Sequence, residues 1–80
     1  MIQQEILEDF TDILRGILFD DGIELGMETT RDEVDGWDSF NYVNFIVAVE
    51  MKYDVKFKVS DVESFQTVGD IIRETARLAK

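Results

Sequence analysis

The chain contains no cysteine and no histidine. Without cysteine it forms no disulfide and offers no thiolate to a metal ion. Without histidine or cysteine, neither a Ser–His nor a Cys–His nucleophilic pair can be assembled from it. Basic residues are also scarce: 8 Lys and Arg stand against 18 Asp and Glu, for a net charge of −10. Phosphate backbones and anionic membranes are repelled by such a surface, so nucleic acid is not an expected partner. A basic protein patch is the complementary one, and its association should weaken as salt rises. No apolar run approaches the ~20 residues needed to span a bilayer, so no membrane insertion is expected. The opening Met1-Ile2-Gln3-Gln4-Glu5 lacks the basic stretch of a signal peptide, and a cytoplasmic location is expected. Eighty residues suit a single domain over 1–80 with one small core. A chain of this size buries only about 60–65% of the surface exposed when unfolded.

What is present is mostly helical patterning. Ile2, Ile6, Phe10, Ile13, Leu14, Ile17 and Leu18 recur at steps of three and four. Glu5, Glu8, Asp9, Asp12 and Arg15 fill the other face, so an amphipathic helix is predicted over about 2–19. Gly16 weakens its last turn, and Asp20-Asp21-Gly22 should stop it. Residues 20–38 carry no clear periodicity and read as a long ordered loop, packed by Ile23, Leu25, Met27 and Val34.

A second helix should open at Asp38, a favoured N-cap, and run to about Tyr53. Its residues 42–49 are nearly all apolar. That segment is either buried on more than one side or shows apolar surface to a partner. Tyr53, Val55, Phe57 and Val59 then alternate with polar residues, as in a strand. No second strand is available to pair with it, so an extended loop placing Val55 and Phe57 in the core is predicted. Ser60-Asp61-Val62-Glu63 has the form of a capping box and predicts a short helix at about 61–65. Thr67-Val68-Gly69-Asp70 is a weaker version that opens a final helix. The predicted fold is all-α: a small four-helix bundle of three longer helices and one short one, with a long loop between helices 1 and 2.

The acidic loop is not an EF-hand. That motif needs acids at positions 1, 3 and 5 and glycine at 6. Gly36 at position 6 puts Arg31 at position 1, and Gly26 there puts Ile23 at position 3. No dedicated metal site is expected, only a weak, looser binding of a divalent cation by the acid cluster at most, and most of the acids read as a solvated face. The prominent reactive group is Ser39, beside an acid at the start of a helix and with no base to activate it. Such a serine looks like a target of another enzyme's chemistry rather than a nucleophile, and the chain is not expected to be an enzyme.

The layout around that serine resembles the acyl carrier protein family, with its peptidyl and D-alanyl carrier relatives. The family's Asp-Ser-Leu signature stands here as Asp38-Ser39-Phe40. The run from Phe40 to Glu50 is similar to the family's second helix, with its closing Ala-x-Glu. Tyr53-Asp54-Val55-Lys56-Phe57 and Phe65-Gln66-Thr67-Val68-Gly69-Asp70-Ile71-Ile72 resemble the segments that follow. The likeness is close over about 32–74, and by layout alone before that.

The resemblance implies that a phosphopantetheinyl transferase attaches 4'-phosphopantetheine from coenzyme A to Ser39. The added thiol then carries an acyl or aminoacyl group as a thioester. It also implies a loading ligase or acyltransferase and a downstream synthase or transferase as further partners of a monomeric carrier. A serine at a helix start would place its phosphodiester near backbone N–H groups, which suits an anion. Asp35, Trp37, Asp38, Phe40 and Asn41, around the serine, are the expected partner contacts. Trp37 either packs under the loop or stands exposed beside Ser39, and packing is the usual fate of a large aromatic in a small core. Phe45 and Val49 either line an acyl-chain cavity or belong to the core. Phe40 in place of leucine, and Asn41, Asn44, Met51 and Lys52 where the family is often acidic, point to a specialised stand-alone carrier. The rival reading is a non-catalytic acidic adaptor that binds a basic partner.

Overall fold

The computed structural model describes residues 2–79. It contains helix α1 (Gln3–Leu18), a 3-10 turn (Arg31–Glu33), then α2 (Ser39–Tyr53), α3 (Val59–Ser64) and α4 (Val68–Leu78). No strand occurs among the described residues. The predicted all-α arrangement of three longer helices, one short helix and a long first loop is the one observed.

The steps of four in the first segment produce one buried stripe. Ile6, Phe10 and Leu14 lie fully inside, and α1 packs against both α2 and α4. From α2 come Tyr42, Phe45, Ile46 and Val49, and from α4 Val68, Ile71 and Ile72. Phe10 meets Phe45 edge-on at 5.2 Å between ring centroids, the favoured geometry for two aromatic quadrupoles. Thr75, fully buried in this core, donates its hydroxyl to the Ile71 carbonyl at 2.7 Å and so leaves that oxygen paired. At the rim, the Tyr53 hydroxyl donates to the Asp9 carboxylate and ties α2 to α1. Burial, with that bond second, raises the Tyr53 pKa.

Three local expectations are corrected. Helix α1 ends at Leu18, and Phe19, one residue before the expected Asp20-Asp21-Gly22 stop, is its C-cap. Phe19 adopts the left-handed conformation (φ 55°) and gives its N–H to the Arg15 carbonyl. Gly22 serves the next turn instead, its N–H bonded to Asp20 Oδ1 at 2.9 Å. The first loop is not wholly irregular, because Glu33 Oε1 accepts from the Thr30 N–H at 2.8 Å and closes the 3-10 turn. Helix α3 starts at Val59 rather than near Asp61, with Lys58 as its N-cap and no side-chain capping bond. The Lys58 carbonyl accepts from the N–H groups of Asp61 and Val62, both at 3.0 Å, so Ser60 falls inside the helix and caps nothing.

The capping box at Thr67 does form. Thr67 Oγ1 accepts from Asp70 N, while Asp70 Oδ2 accepts from Thr67 N and Gln66 N. The strand-like segment after α2 is extended, as expected, with Phe57 buried and Val55 half-buried. The Phe57 N–H is satisfied by Glu50 Oε2 at 2.9 Å, so no second strand is needed.

The first loop is fastened to α4 by two backbone bonds. Val68 N–H donates to the Thr29 carbonyl at 2.9 Å and Gly69 N–H to the Met27 carbonyl at 2.7 Å. The approach is so close that a Cβ on Gly69 would lie 2.6 Å from Met27 O. This clamp fixes the start of the segment that runs through Arg31 and Trp37 to the head of α2.

Candidate functional site

The site is built where that segment meets α2. Gly36 takes φ +87°, a conformation that favours glycine, and turns the chain into the helix. Asn41 reaches back from the first turn and donates through Nδ2 to the Gly36 carbonyl at 2.8 Å. Trp37 then drops into the core, only 4% exposed, 5.2 Å from the Phe45 ring and 6.3 Å from that of Tyr42. Its neighbour Asp38 is the N-cap and accepts the Asn41 N–H on Oδ1 at 2.9 Å. Ser39 follows as the first helical residue, and it is exposed. The N–H groups of Ser39 and Phe40 make no hydrogen bond among the described residues. The hydroxyl therefore sits on a rigid mount, beside two backbone donors directed out of the helix end.

Ser39 also lines a cleft of about 460 Å³ between α2 and α3, with Arg31, Tyr42, Val43, Val62, Glu63 and Phe65. The Tyr42 hydroxyl donates to the Val62 carbonyl at 2.7 Å and holds the two helices together across it. The Arg31 guanidinium carbon lies 4.3 Å from the Tyr42 ring centroid, a cation–π contact. Burial raises the Tyr42 pKa, and the Arg31 charge works against that rise. Phe45 and Val49 are fully buried and belong to the core, and the space beside Ser39 is this surface cleft.

The expected contact residues fare differently. Asp35, Asp38, Ser39 and Phe40 are all exposed along the entry to α2. Phe40, 74% exposed, heads an apolar row on the outer side of α2 that continues through Val43, Val47 and Met51. Asn41 is half-buried and tied to the turn. Trp37 is corrected: packed in the core, it presents no side-chain surface to a partner and instead anchors the residue before the cap. Sequence reasoning missed Arg31 and Gly69. Arg31 met only the failed EF-hand register, and Gly69 read as part of a capping pattern. Among the described residues, no three Asp or Glu side chains gather as a metal site, and no helix is long and apolar enough to cross a membrane.

No family model matches the chain. The acyl carrier protein of Clostridium acetobutylicum is 30% identical to it over 67 residues, which span 84% of this chain and 87% of that protein. The solution structure of holo acyl carrier protein from Geobacter metallireducens superposes with a TM-score of 0.83 at 33% identity, over 90% of this chain and 83% of that one.

Proposed function

The chain belongs to the acyl carrier protein family, and from that premise we propose that it holds an acyl or aminoacyl group on 4'-phosphopantetheine joined to the Ser39 hydroxyl. Its role is that of a carrier and not of a catalyst. The observation that supports Ser39 most directly is its placement: an exposed residue at the first position of α2, where the N–H groups of Ser39 and Phe40 have no acceptor among the described residues. The residues there fit the group. The Ser39 and Phe40 N–H donors suit a phosphodiester formed at Ser39 Oγ, and nothing buries that oxygen. Once attached, the group supplies the thiol that this cysteine-free chain lacks, and that thiol carries the cargo as a thioester.

The remaining residues position and present. Asp38 and Asn41 fix the first turn, so the serine faces an incoming enzyme without rearranging. Asp35 and Asp38 give basic surfaces of that enzyme something to meet, and Phe40 gives an apolar contact. We assign as partners a phosphopantetheinyl transferase, an acyl- or aminoacyl-loading ligase or acyltransferase, and a downstream synthase or transferase. The carrier acts as a monomeric single domain over 1–80 in the cytoplasm.

Intact mass after incubation with coenzyme A and a broad-specificity phosphopantetheinyl transferase tests this. The natural chain should gain one phosphopantetheine and Ser39→Ala none. No gain on the folded natural chain would refute the carrier reading and leave the acidic adaptor.

A further inference from the structure

We propose that Arg31 is an anion receptor for this site, its guanidinium holding the phosphate joined to Ser39 within the cleft between α2 and α3. The inference rests on the reading of Ser39 above. Arg31 and Ser39 line the same cleft, and among the described residues Arg31 is the one cationic side chain lining it. A phosphodiester at Ser39 would follow the exposed carboxylate of the N-cap Asp38, with that of Asp35, also exposed, four residues upstream. Two anions repel a third there, so a cation within reach changes the balance.

Arg31 is unusual in not being spent on the acids around it. Asp32, Glu33, Asp35 and Asp38 are all near it in sequence, yet the ion pairs among the described residues involve Arg15, Arg73 and Arg77. Glu33 is occupied by the Thr30 N–H and Asp38 by the Asn41 N–H. Glu63, the acid that lines the cleft, makes no ion pair with Arg31. No guanidinium N–H of Arg31 has a protein acceptor among the described residues, whereas Arg15, Arg73 and Arg77 all donate.

The group is nevertheless held in place. Its guanidinium carbon lies over the Tyr42 ring, and Tyr42 is fixed in turn by its bond to Val62. A guanidinium stacked on an aromatic keeps its edge donors available, and their fork matches two phosphate oxygens. The Thr30–Glu33 bond and the clamp of Met27 and Thr29 on α4 set the base of the same side chain.

The test is NMR of the Arg31 Nε–H in ¹⁵N-labelled apo chain and in holo chain, with attachment verified by intact mass. Attachment should move that resonance and slow its exchange with water. The ³¹P resonance of holo Arg31→Gln should differ from that of the natural holo chain, and Arg31→Lys, which keeps charge but not the fork, should fall between them. The gain in melting temperature from apo to holo should shrink in Arg31→Gln by about 1–8 °C. Far-UV circular dichroism of the apo variants controls for folding, and Arg31 is exposed, so its replacement leaves the core intact. An Arg31 resonance unmoved by attachment, with equal apo-to-holo gains in all three chains, would overturn the assignment. So would a shift that appears only after loading a dicarboxylic acyl group, since the anion held would then be the cargo's carboxylate. Failure of the natural chain to gain mass at all would overturn the Ser39 reading along with it.

Discussion

Gly69→Ala and Gly16→Ala make the same chemical change in two helices, and the structure requires opposite outcomes. Around Gly16 an added Cβ finds no tertiary neighbour within 4 Å, and the residue is exposed in the last turns of α1. Only backbone entropy and propensity act there, so alanine should stabilise by up to ~1 kcal/mol. At Gly69 the same methyl would sit 2.6 Å from the Met27 carbonyl oxygen, 3.1 Å from an Arg73 guanidinium nitrogen and 3.3 Å from Met27 Cε. Arg73 and the Met27 side chain can swing aside, but the Met27 carbonyl accepts the Gly69 N–H itself. Relieving the overlap means lengthening that bond. Overpacking costs about 1–3 kcal/mol and the weakened bond about 1 kcal/mol, against the ~1 kcal/mol that alanine returns as a helix former. The net loss is about 2 kcal/mol. For a domain of this size, that lowers the melting temperature by roughly 8–16 °C, while Gly16→Ala should raise it by up to about 8 °C. Thermal unfolding followed by far-UV circular dichroism, and by fluorescence of Trp37, the sole tryptophan, measures both. A Gly69→Ala chain as stable as the natural one would refute the clamp. It would also remove the physical basis for a fixed Arg31.

Asp38→Ala should lower stability by about 1 kcal/mol through loss of the N-cap, whereas Asp38→Asn should retain most of it; melting curves at neutral pH separate the two. The Asp70 carboxyl is held below the ordinary carboxylate range, chiefly by the N–H groups of Gln66 and Thr67 and further by Arg73. Because its folded pKa lies below the unfolded value, its contribution is present above about pH 4 and lost as pH falls through the folded pKa. Asp70→Asn should therefore melt lower at pH 7 and show a flatter acid limb below pH 4, with the residual slope left to Glu74, which Arg77 depresses likewise. An unchanged acid limb would show that Asp70 is not the group that titrates.

The helices were legible because their signals are local and repeated. Ile6, Phe10 and Leu14 share a stripe by spacing alone, and Asp38 declares a cap by its type. The α3 start was not legible. Ser60 and Glu63 have the right residues at the right spacing, but the Lys58 carbonyl reaches the donors first. The Thr30–Glu33 turn was hidden for the converse reason, being a capping interaction with no hydrophobic run behind it. The place of Ser39 at the head of α2 was legible through its neighbours in sequence, but the setting from which the role of Arg31 is proposed was not. Its role depends on a ring eleven positions away, and that ring depends on a carbonyl of α3. Trp37 fell between these cases. Its size argued for the core, its place beside the serine argued for a surface, and packing against Phe45 and Tyr42 decided it.

The two capped helix starts differ in a way that supports the proposal of attachment at one of them and not at the other. Both have an N-cap oxygen that accepts from the third helical N–H: Asp38 from Asn41, and Thr67 from Asp70. They differ in the two donors between. At α4 those belong to Val68 and Gly69, and the first loop covers both with the Thr29 and Met27 carbonyls. At α2 they belong to Ser39 and Phe40, and among the described residues nothing accepts from either. An uncovered pair of N–H groups is a cost when nothing but water meets it, and an asset when an anion is to be placed there. The loop that closes α4 also carries Arg31 toward the open start, so one segment seals the first helix end and furnishes the second. Glycine at position 69 is what lets it come close enough to do so. A variant that loosens the clamp should thus weaken the apo-to-holo changes at Arg31 even when Ser39 is still modified, a coupling that Gly69→Ala measured by the same Nε–H resonance would expose.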